Sequence, residues 1–137
     1  MRLTSFTDYG LRVLMRLAGA PGRAFTTAAL AAEFRVSRNH LAKVVSTLAA
    51  AGLLDTRRGG GGGAMLAVRP EDIRLGDVVA MLEADQALVE CFATGGAACT
   101  LMPHCRLKTR LAQAEAAFIR DLNHSTLADC VYRPDPA

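Results

Sequence analysis

Residues 26–63 read TTAALAAEFRVSRNHLAKVVSTLAAAGLLDTRRGGGGG, and this pattern predicts a helix, a turn, a second helix and a glycine-tipped hairpin. Thr26 or Thr27 supplies a hydroxyl that caps the first helix, and Ser37 does the same for the second. The second helix is predicted to end at Gly52, because glycine best tolerates a left-handed C-terminal cap. Its apolar side chains recur with helical spacing and are expected to be buried: Leu41, Val44, Val45 and Leu48.

Two short strands, Leu53–Arg57 and Met65–Val68, flank the five glycines and complete the predicted hairpin. Helix, turn, helix and hairpin is the order of a winged helix-turn-helix, whose second helix enters the major groove of DNA. Further helices are predicted over Ser5–Ala18, Leu75–Ala84 and Cys105–Leu122. The fold class is therefore mainly α, with a small β-hairpin wing and a long C-terminal helix.

The first helix and the long C-terminal helix each carry an apolar stripe. In the first helix the stripe consists of Leu11, Leu14, Met15 and Ala18. In the long helix it consists of Leu107, Leu111, Ala114, Phe118 and Leu122.

The composition is that of a small globular protein. Hydrophobic residues make up 51% of the 137 residues, which is enough for a packed core. Aromatic residues make up only 5% and tryptophan is absent, which disfavours a large β-sandwich. No apolar run approaches the roughly 18–20 residues of a membrane span, and the N-terminus lacks the apolar region of a secretory signal. We therefore expect a cytoplasmic protein with reduced thiols and no membrane partner.

The charge is unevenly distributed along the chain. The overall charge of +3 combines +7 over residues 1–70 with −4 over residues 71–137. A basic first half is typical of a surface that faces a polyanion. The uneven charge and the helix-turn-helix pattern together indicate binding to double-stranded DNA.

Specific side chains at the start of the second helix and in the hairpin are predicted to contact DNA. Arginine can hydrogen-bond guanine and asparagine can hydrogen-bond adenine in the major groove, whereas serine and lysine are better placed for phosphates. A basic residue on a thin loop can enter a narrow minor groove. The alternative is an ordinary solvated helix start and a plain flexible loop. The predicted contacts are Ser37, Arg38, Asn39, His40 and Lys43 in the helix, and Arg57, Arg58 and Gly59 in the hairpin.

Three of the four cysteines lie close together in a segment without periodicity, as Cys91, Cys99 and Cys105. Structural zinc sites usually pair their ligands as C-x2–4-C, so the wider spacing here favours an iron–sulfur cluster held by thiolates over zinc. The alternative is three unrelated buried cysteines. Cys130 lies in an apolar turn and is interpreted as a small core residue. A fourth ligand would come from the first half of the chain, from a partner chain, or from Glu90, His104, His124 or Cys130.

Five segments of the chain resemble the Rrf-two family of bacterial winged-helix regulators. They are MRLTSFTDYGLRVL, VSRNHLAKVVSTLAAAGLL, RRGGGGGAMLAVRP, IRLGDVVAMLE and TLADCV. The likeness extends from Met1 to about Val131, and within the family the chain resembles the nitric-oxide-sensing repressors.

The resemblance implies a homodimer on an inverted-repeat operator, in which the long helices Cys105–Leu122 of the two subunits pack together. It also implies one iron–sulfur cluster per subunit on the three cysteines, of the 4Fe-4S type rather than 2Fe-2S. Asp8 from the partner subunit is implied as a candidate fourth ligand, although the helix dipole also favours a plain surface carboxylate in a first helical turn. Reaction of the cluster with nitric oxide is then expected to release the operator. The resemblance thus divides the chain into a DNA-binding lobe, residues 1–70, and a cluster-binding and dimerisation lobe, residues 71–137.

The sequence differs from the common family pattern in one cysteine spacing, and from one branch of the family at a single residue. The seven residues between Cys91 and Cys99 are more than the family commonly has. One branch of the family carries a histidine three residues after the third cysteine, where this chain has Lys108, which favours the nitric-oxide-sensing branch. Two other hypotheses remain: an iron- or cluster-supply regulator of the same family, and a metal-free thiol redox switch. An enzyme is not expected, because Cys105 has no convincing base and orienting partner.

Overall fold

The computed structural model describes residues 1–60, 62–95 and 99–134. The described residues form two compact units. The first unit contains Met1–Ile73 and the described residues from Thr126 onward, and the second contains Arg74–Ser125. These packing units differ from the two predicted lobes because the segment after Ser125 packs with the first unit. The functional division at residue 70 remains a prediction.

The mainly α fold with a winged helix-turn-helix is confirmed. The helices are α1 (Ser5–Ala18), α2 (Thr27–Phe34), α3 (Arg38–Ala50), α4 (Leu75–Leu82) and α5 (Arg106–Leu122). The strands are β1 (Leu54–Arg57) and β2 (Gly63–Leu66), and short 3-10 turns cover Pro70–Asp72, Glu90–Phe92 and Leu127–Cys130. No helix in the described part of the chain has both the length and the apolar character needed to cross a membrane.

The predicted second strand, Met65–Val68, was placed two residues too far along the chain. In the structure β1 and β2 are antiparallel, and Arg57 faces Gly63 at the tip end of the hairpin. The reason is a contact outside the hairpin: Ala64 forms an isolated bridge with Phe25, so pairing starts at the end of the glycine run.

Only two of the four residues in the predicted apolar stripe of α1 are buried. Leu14 and Ala18 are buried, but Leu11 and Met15 are partly exposed. The buried face is wider and turned toward neighbouring positions because α1 packs against both α3 and the Leu127–Cys130 turn. The additional buried residues on α1 are Thr7, Gly10, Val13, Arg16 and Leu17.

Helices α1 and α2 and strand β2 meet at one cluster of residues, which we call the Phe25 junction: Arg16, Phe25, Glu33 and Ala64. Arg16 is only 6% exposed, and its Nε donates a hydrogen bond to Glu33 Oε1 at 2.7 Å. Its guanidinium carbon lies 4.6 Å from the centre of the buried Phe25 ring. The Phe25 backbone N–H donates to the Ala64 carbonyl at 3.0 Å, and the Ala64 N–H donates back at 2.7 Å.

In the second unit, α4 packs closely against α5. A Cβ at Gly76 would lie 2.3 Å from the Ile119 carbonyl oxygen, so only glycine fits there. The Asp77 N–H donates to Asn123 Oδ1 at 3.0 Å, and Asn123 Nδ2 donates to Asp77 Oδ1 at 3.0 Å. No residue of α5 is fully buried, and Leu107 of the predicted stripe is 63% exposed.

Replacing Glu33 with alanine should lower the free energy of unfolding by about 2–3 kcal/mol, because it leaves the buried Arg16 guanidinium unpaired. Glu33→Gln should cost only about 1 kcal/mol, since glutamine keeps an oxygen that accepts the Arg16 hydrogen bond. Urea unfolding followed by circular dichroism measures both losses.

Glu71→Ala is the matched control for this pair. Glu71 lies 4.0 Å from Arg69 and both side chains are largely exposed, so its loss should stay within about 0.5 kcal/mol. Equal destabilisation by Glu33→Ala and Glu71→Ala would contradict a structural role for the buried pair.

Candidate nucleic-acid interface and cysteine segment

The turn between α2 and α3 is set by local hydrogen bonds. Thr26 caps α2, with its Oγ1 accepting from the Ala29 N–H at 3.0 Å. The Val36 N–H donates to the Ala31 carbonyl at 3.0 Å and closes the end of α2. Ser37 caps α3, with its Oγ accepting from the His40 N–H at 3.3 Å. Both predicted N-cap positions are therefore confirmed.

The exposed side of α3 carries polar and basic groups. Its four predicted core residues are buried, which confirms the predicted apolar stripe. On the opposite side Arg38, Asn39 and Lys43 are exposed, and the first turn of α3 contains no acidic residue. Arginine and asparagine at the start of such a helix can hydrogen-bond base edges, while a lysine one turn on can neutralise a phosphate.

His40 has a different environment from its neighbours on α3. It is only partly exposed, and its ring is stacked on Phe6 with centroids 6.4 Å apart. The Tyr9 ring meets it edge-on at 5.1 Å. His40 thus packs against the first turns of α1, and its predicted DNA contact stays a prediction. Phe6 and Tyr9 are three residues apart and share one face of α1. This spacing could have predicted an aromatic contact surface on α1, which sequence reasoning missed.

Asp8 lies in the first turn of α1 and is held by an arginine one turn later. Its two carboxylate oxygens accept from Arg12 Nε at 3.1 Å and Arg12 Nη2 at 2.8 Å, and both side chains are about half exposed. The Arg12 guanidinium carbon lies 5.5 Å from the centre of the Tyr9 ring. Asp8, Arg12, Tyr9 and His40 form a continuous series of side chains, which we call the Asp8–His40 series.

The wing combines an exposed basic tip with a close backbone contact to Phe25. Arg57, Arg58 and Gly59 are exposed, and the Gly62 N–H donates to the Gly59 carbonyl at 2.9 Å. Next to the tip, a Cβ on Gly63 would lie 2.5 Å from the Phe25 carbonyl oxygen, and the φ of Gly63 is +135°. The last glycine of the run, Gly63, therefore has a packing role, since it allows two backbones to approach closely.

All four cysteines are free thiols. Cys91 lies in the turn after α4, Cys105 is the N-cap residue of α5, and Cys99 lies on the connection between them. Cys91 and Cys105 are partly exposed and Cys99 is exposed. Cys130, interpreted as a core residue, is itself only partly buried.

The three cysteine donors for a metal group are present, but they do not lie together in one site. Within residues 1–60, 62–95 and 99–134, no three His, Cys, Asp or Glu side chains form a group that could hold a metal ion. Three thiols on one connection are nevertheless the donor set that iron–sulfur clusters use. The chemistry of the donors fits a cluster, and ligation of all three would bring them closer together than they are here.

Residues 3–133 match the model of the Rrf2 (Rrf-two) family, described as an iron-dependent transcriptional regulator. The chain belongs to the Rrf2 family. Its fold and basic first half agree with a family of DNA-binding regulators. The chain is thus a winged-helix transcriptional regulator and not an enzyme.

Several curated Rrf2-type relatives are similar over nearly the whole chain. The HTH-type transcriptional regulator NsrR of Shouchella clausii is 43% identical over 98% of this chain and 91% of its own length. The NsrR proteins of Geobacillus kaustophilus and Bacillus subtilis are 45% and 42% identical, over 94% and 96% of this chain and 88% and 90% of their own lengths.

Solved structures of Rrf2-type regulators are also similar. Oxidized CymR of Staphylococcus aureus has a TM-score of 0.73 and 26% identity, covering 99% of this chain and 100% of its own. CymR of B. subtilis, titled a global cysteine regulator, has a TM-score of 0.73 and 27% identity, covering 94% of this chain and 95% of its own. The IscR of T. potens, with a TM-score of 0.72 and 24% identity over 94% of this chain and 85% of its own, supports the fold alone.

Gly63→Ala should destabilise the protein by about 2 kcal/mol or more, because the new methyl group meets the Phe25 backbone and a positive φ disfavours alanine. Operator affinity should fall with it, since the wing loses its anchor. Gly60→Ala is the matched control: Gly60 has open space around it and no positive φ, so its stability should change by less than about 0.5 kcal/mol. Thermal unfolding and fluorescence anisotropy measure the two effects, and equal behaviour of the two variants would refute this role of Gly63.

Asn39→Ala and Lys43→Ala should weaken DNA binding in different ways. Losing a base contact at Asn39 should cost about 1–3 kcal/mol on the operator and relax its sequence preference. Losing a phosphate contact at Lys43 should weaken binding to every duplex and lower the salt slope by about 0.9 per contact. Anisotropy titrations across a salt series distinguish the two, and identical profiles for both variants would exclude these assignments.

Proposed function

We propose that this chain is a homodimeric transcriptional repressor that binds an inverted-repeat operator and releases it in response to nitric oxide. The observation that carries the proposal is its identity of 42–45% with three proteins named NsrR. The sequence resemblance to nitric-oxide-sensing repressors and the three free thiols between residues 91 and 105 support the same proposal.

The residues that would hold the iron–sulfur cluster are Cys91, Cys99 and Cys105, with the partner's Asp8 as the fourth ligand. When bound, the cluster supplies iron that reacts with nitric oxide. Three thiolates leave one ligand position for a different donor in a 4Fe-4S and in a 2Fe-2S cluster alike. The 4Fe-4S type is proposed from the sequence resemblance alone. A carboxylate leaves iron more easily than a thiolate does, so Asp8 is the weak point at which the protein responds.

The Asp8–His40 series gives Asp8 a physical connection to α3, which is the recognition helix of the helix-turn-helix. When Asp8 is not a ligand, Arg12 holds its carboxylate. Ligation of this carboxylate would weaken the Arg12 ion pair and would so release Arg12 from its place over the Tyr9 ring. Tyr9 contacts His40 directly, so the change reaches the first turn of α3. A switch of this kind requires the operator to favour one state by a few kcal/mol.

Dimerisation through α5 would set the distance between the two recognition helices. The helix has no buried residue in the single chain, and Leu107 is largely exposed, so an apolar face is available to a second copy. Two half-sites one turn of DNA apart require recognition helices about 34–36 Å apart. A small rotation of α3 in each subunit would therefore disturb both half-site contacts together.

Iron supply is the second candidate signal, because the family is described as iron-dependent. The same three thiols and the same DNA-binding surface would serve it. Operator release after iron chelation, with retention under nitric oxide, distinguishes this function from the first.

The test is operator binding by protein purified without air, measured by gel shift during titration with nitric oxide and, separately, with an iron chelator. We expect a coloured protein containing iron and labile sulfide, which loses its absorption bands and its operator together as nitric oxide is added. A coloured protein that keeps its operator under nitric oxide would refute nitric-oxide sensing. A colourless protein that still binds DNA would refute the cluster and leave the thiol switch.

Asp8→Ala should retain the cluster, since the three thiolates remain, but should lower the operator affinity of the loaded protein by about tenfold. Asp55→Ala is the matched control, because Asp55 is an exposed carboxylate on β1 with no predicted ligand role. Loaded Asp8→Ala protein that binds the operator as tightly as the wild type would exclude Asp8 from signalling.

A further inference from the structure

Arg35 has an unusual backbone conformation for an arginine. It lies in the turn of the helix-turn-helix, directly after α2, with φ 57° and ψ 47°. Among the described residues it is the only residue other than glycine with a positive φ. Left-handed backbone disfavours side chains of L-amino acids, and the turn of this motif often contains glycine for that reason.

The local fold does not require the Arg35 side chain. Its backbone N–H donates to the Ala32 carbonyl at 3.3 Å, and a glycine would make the same hydrogen bond. The side chain is exposed, and within the described part of the chain it makes no ion pair or side-chain hydrogen bond. The nearby carboxylate of Glu33 is already paired with Arg16.

The position of Arg35 points to a role in DNA binding. It precedes the α3 cap, Ser37, by two residues and Arg38 by three, and the side chains of Arg35, Arg38 and Lys43 are all exposed. A guanidinium is a strong, bidentate partner for a phosphate. Residues that flank a recognition helix commonly contact the DNA backbone and so orient the helix.

We propose that Arg35 binds a phosphate of the DNA backbone next to each half-site and thereby positions α3 in the major groove. An unfavourable backbone conformation is then retained because of what the side chain binds, in line with the tendency of strained residues to lie at functional sites. The proposal uses DNA binding alone, so it holds or fails independently of nitric oxide and of the cluster.

The test compares Arg35→Gly with Arg35→Lys in stability and in DNA binding. Arg35→Gly removes both the strain and the charge, so its melting temperature should rise by about 2–5 °C. Its affinity for DNA should fall roughly three- to tenfold at moderate salt, with a salt slope lower by about 0.9 per lost contact. Arg35→Lys keeps the charge, so its affinity should stay within about threefold of the wild type and its salt slope should be unchanged.

Two duplexes separate phosphate binding from base recognition. One is selected by the wild-type protein from a random pool, and the other is unrelated in sequence. Loss of a phosphate contact should weaken binding to both by the same factor. Arg133→Ala controls for net charge: Arg133 is an exposed arginine outside α5 and outside the predicted DNA contacts, and the salt slope of this variant should not change.

Three results would overturn the proposal. Arg35→Gly protein with wild-type affinity and salt slope would show that the charge is not used. A fall in both melting temperature and affinity would assign Arg35 a structural role. A loss of affinity in Arg35→Gly that is confined to the selected duplex would exclude a contact to a phosphate.

Discussion

The Phe25 junction is the constraint on which the DNA-binding unit depends. Arg16 is buried, and a buried cation is costly unless it is paired, so Glu33 fixes α2 against α1. The Phe25 ring packs against the Arg16 guanidinium, while the backbone of Phe25 pairs with Ala64 of the wing. One cluster therefore sets the position of α2 and of the hairpin, and the orientation of both relative to α1.

Helix α1 connects this unit to its proposed signal. It contains Arg16 of the Phe25 junction, and its first turns contain Asp8 and the aromatic residues that pack on His40. A displacement at the start of α1 therefore reaches the recognition helix through side chains in contact. The wing, by contrast, is joined to Phe25 by two backbone hydrogen bonds through Ala64, and it has no place in the Asp8–His40 series.

Features defined by local sequence were predictable, and features defined by distant contacts were not. The cap at Ser37 and the stripe from Leu41 to Leu48 depend on spacing within one helix, and both are confirmed. The start of β2 was misplaced because Ala64 pairs with Phe25, a residue far away in the chain. The packing of His40 on α1 was missed for the same reason. Cysteine spacing predicts the donors of a cluster. The proposed cluster and the second chain, which would bring these donors together, are not specified by the single sequence.

The most direct test of the proposed connection is amide hydrogen exchange of the DNA-free, cluster-loaded protein before and after nitric oxide. The account predicts faster exchange in the first turns of α1 and in the first turn of α3, around His40. Exchange of the Phe25 and Ala64 amides, which pair with each other, should change little. Unchanged exchange at the start of α3, in protein that has lost its operator, would contradict a signal that travels through Asp8 and α1.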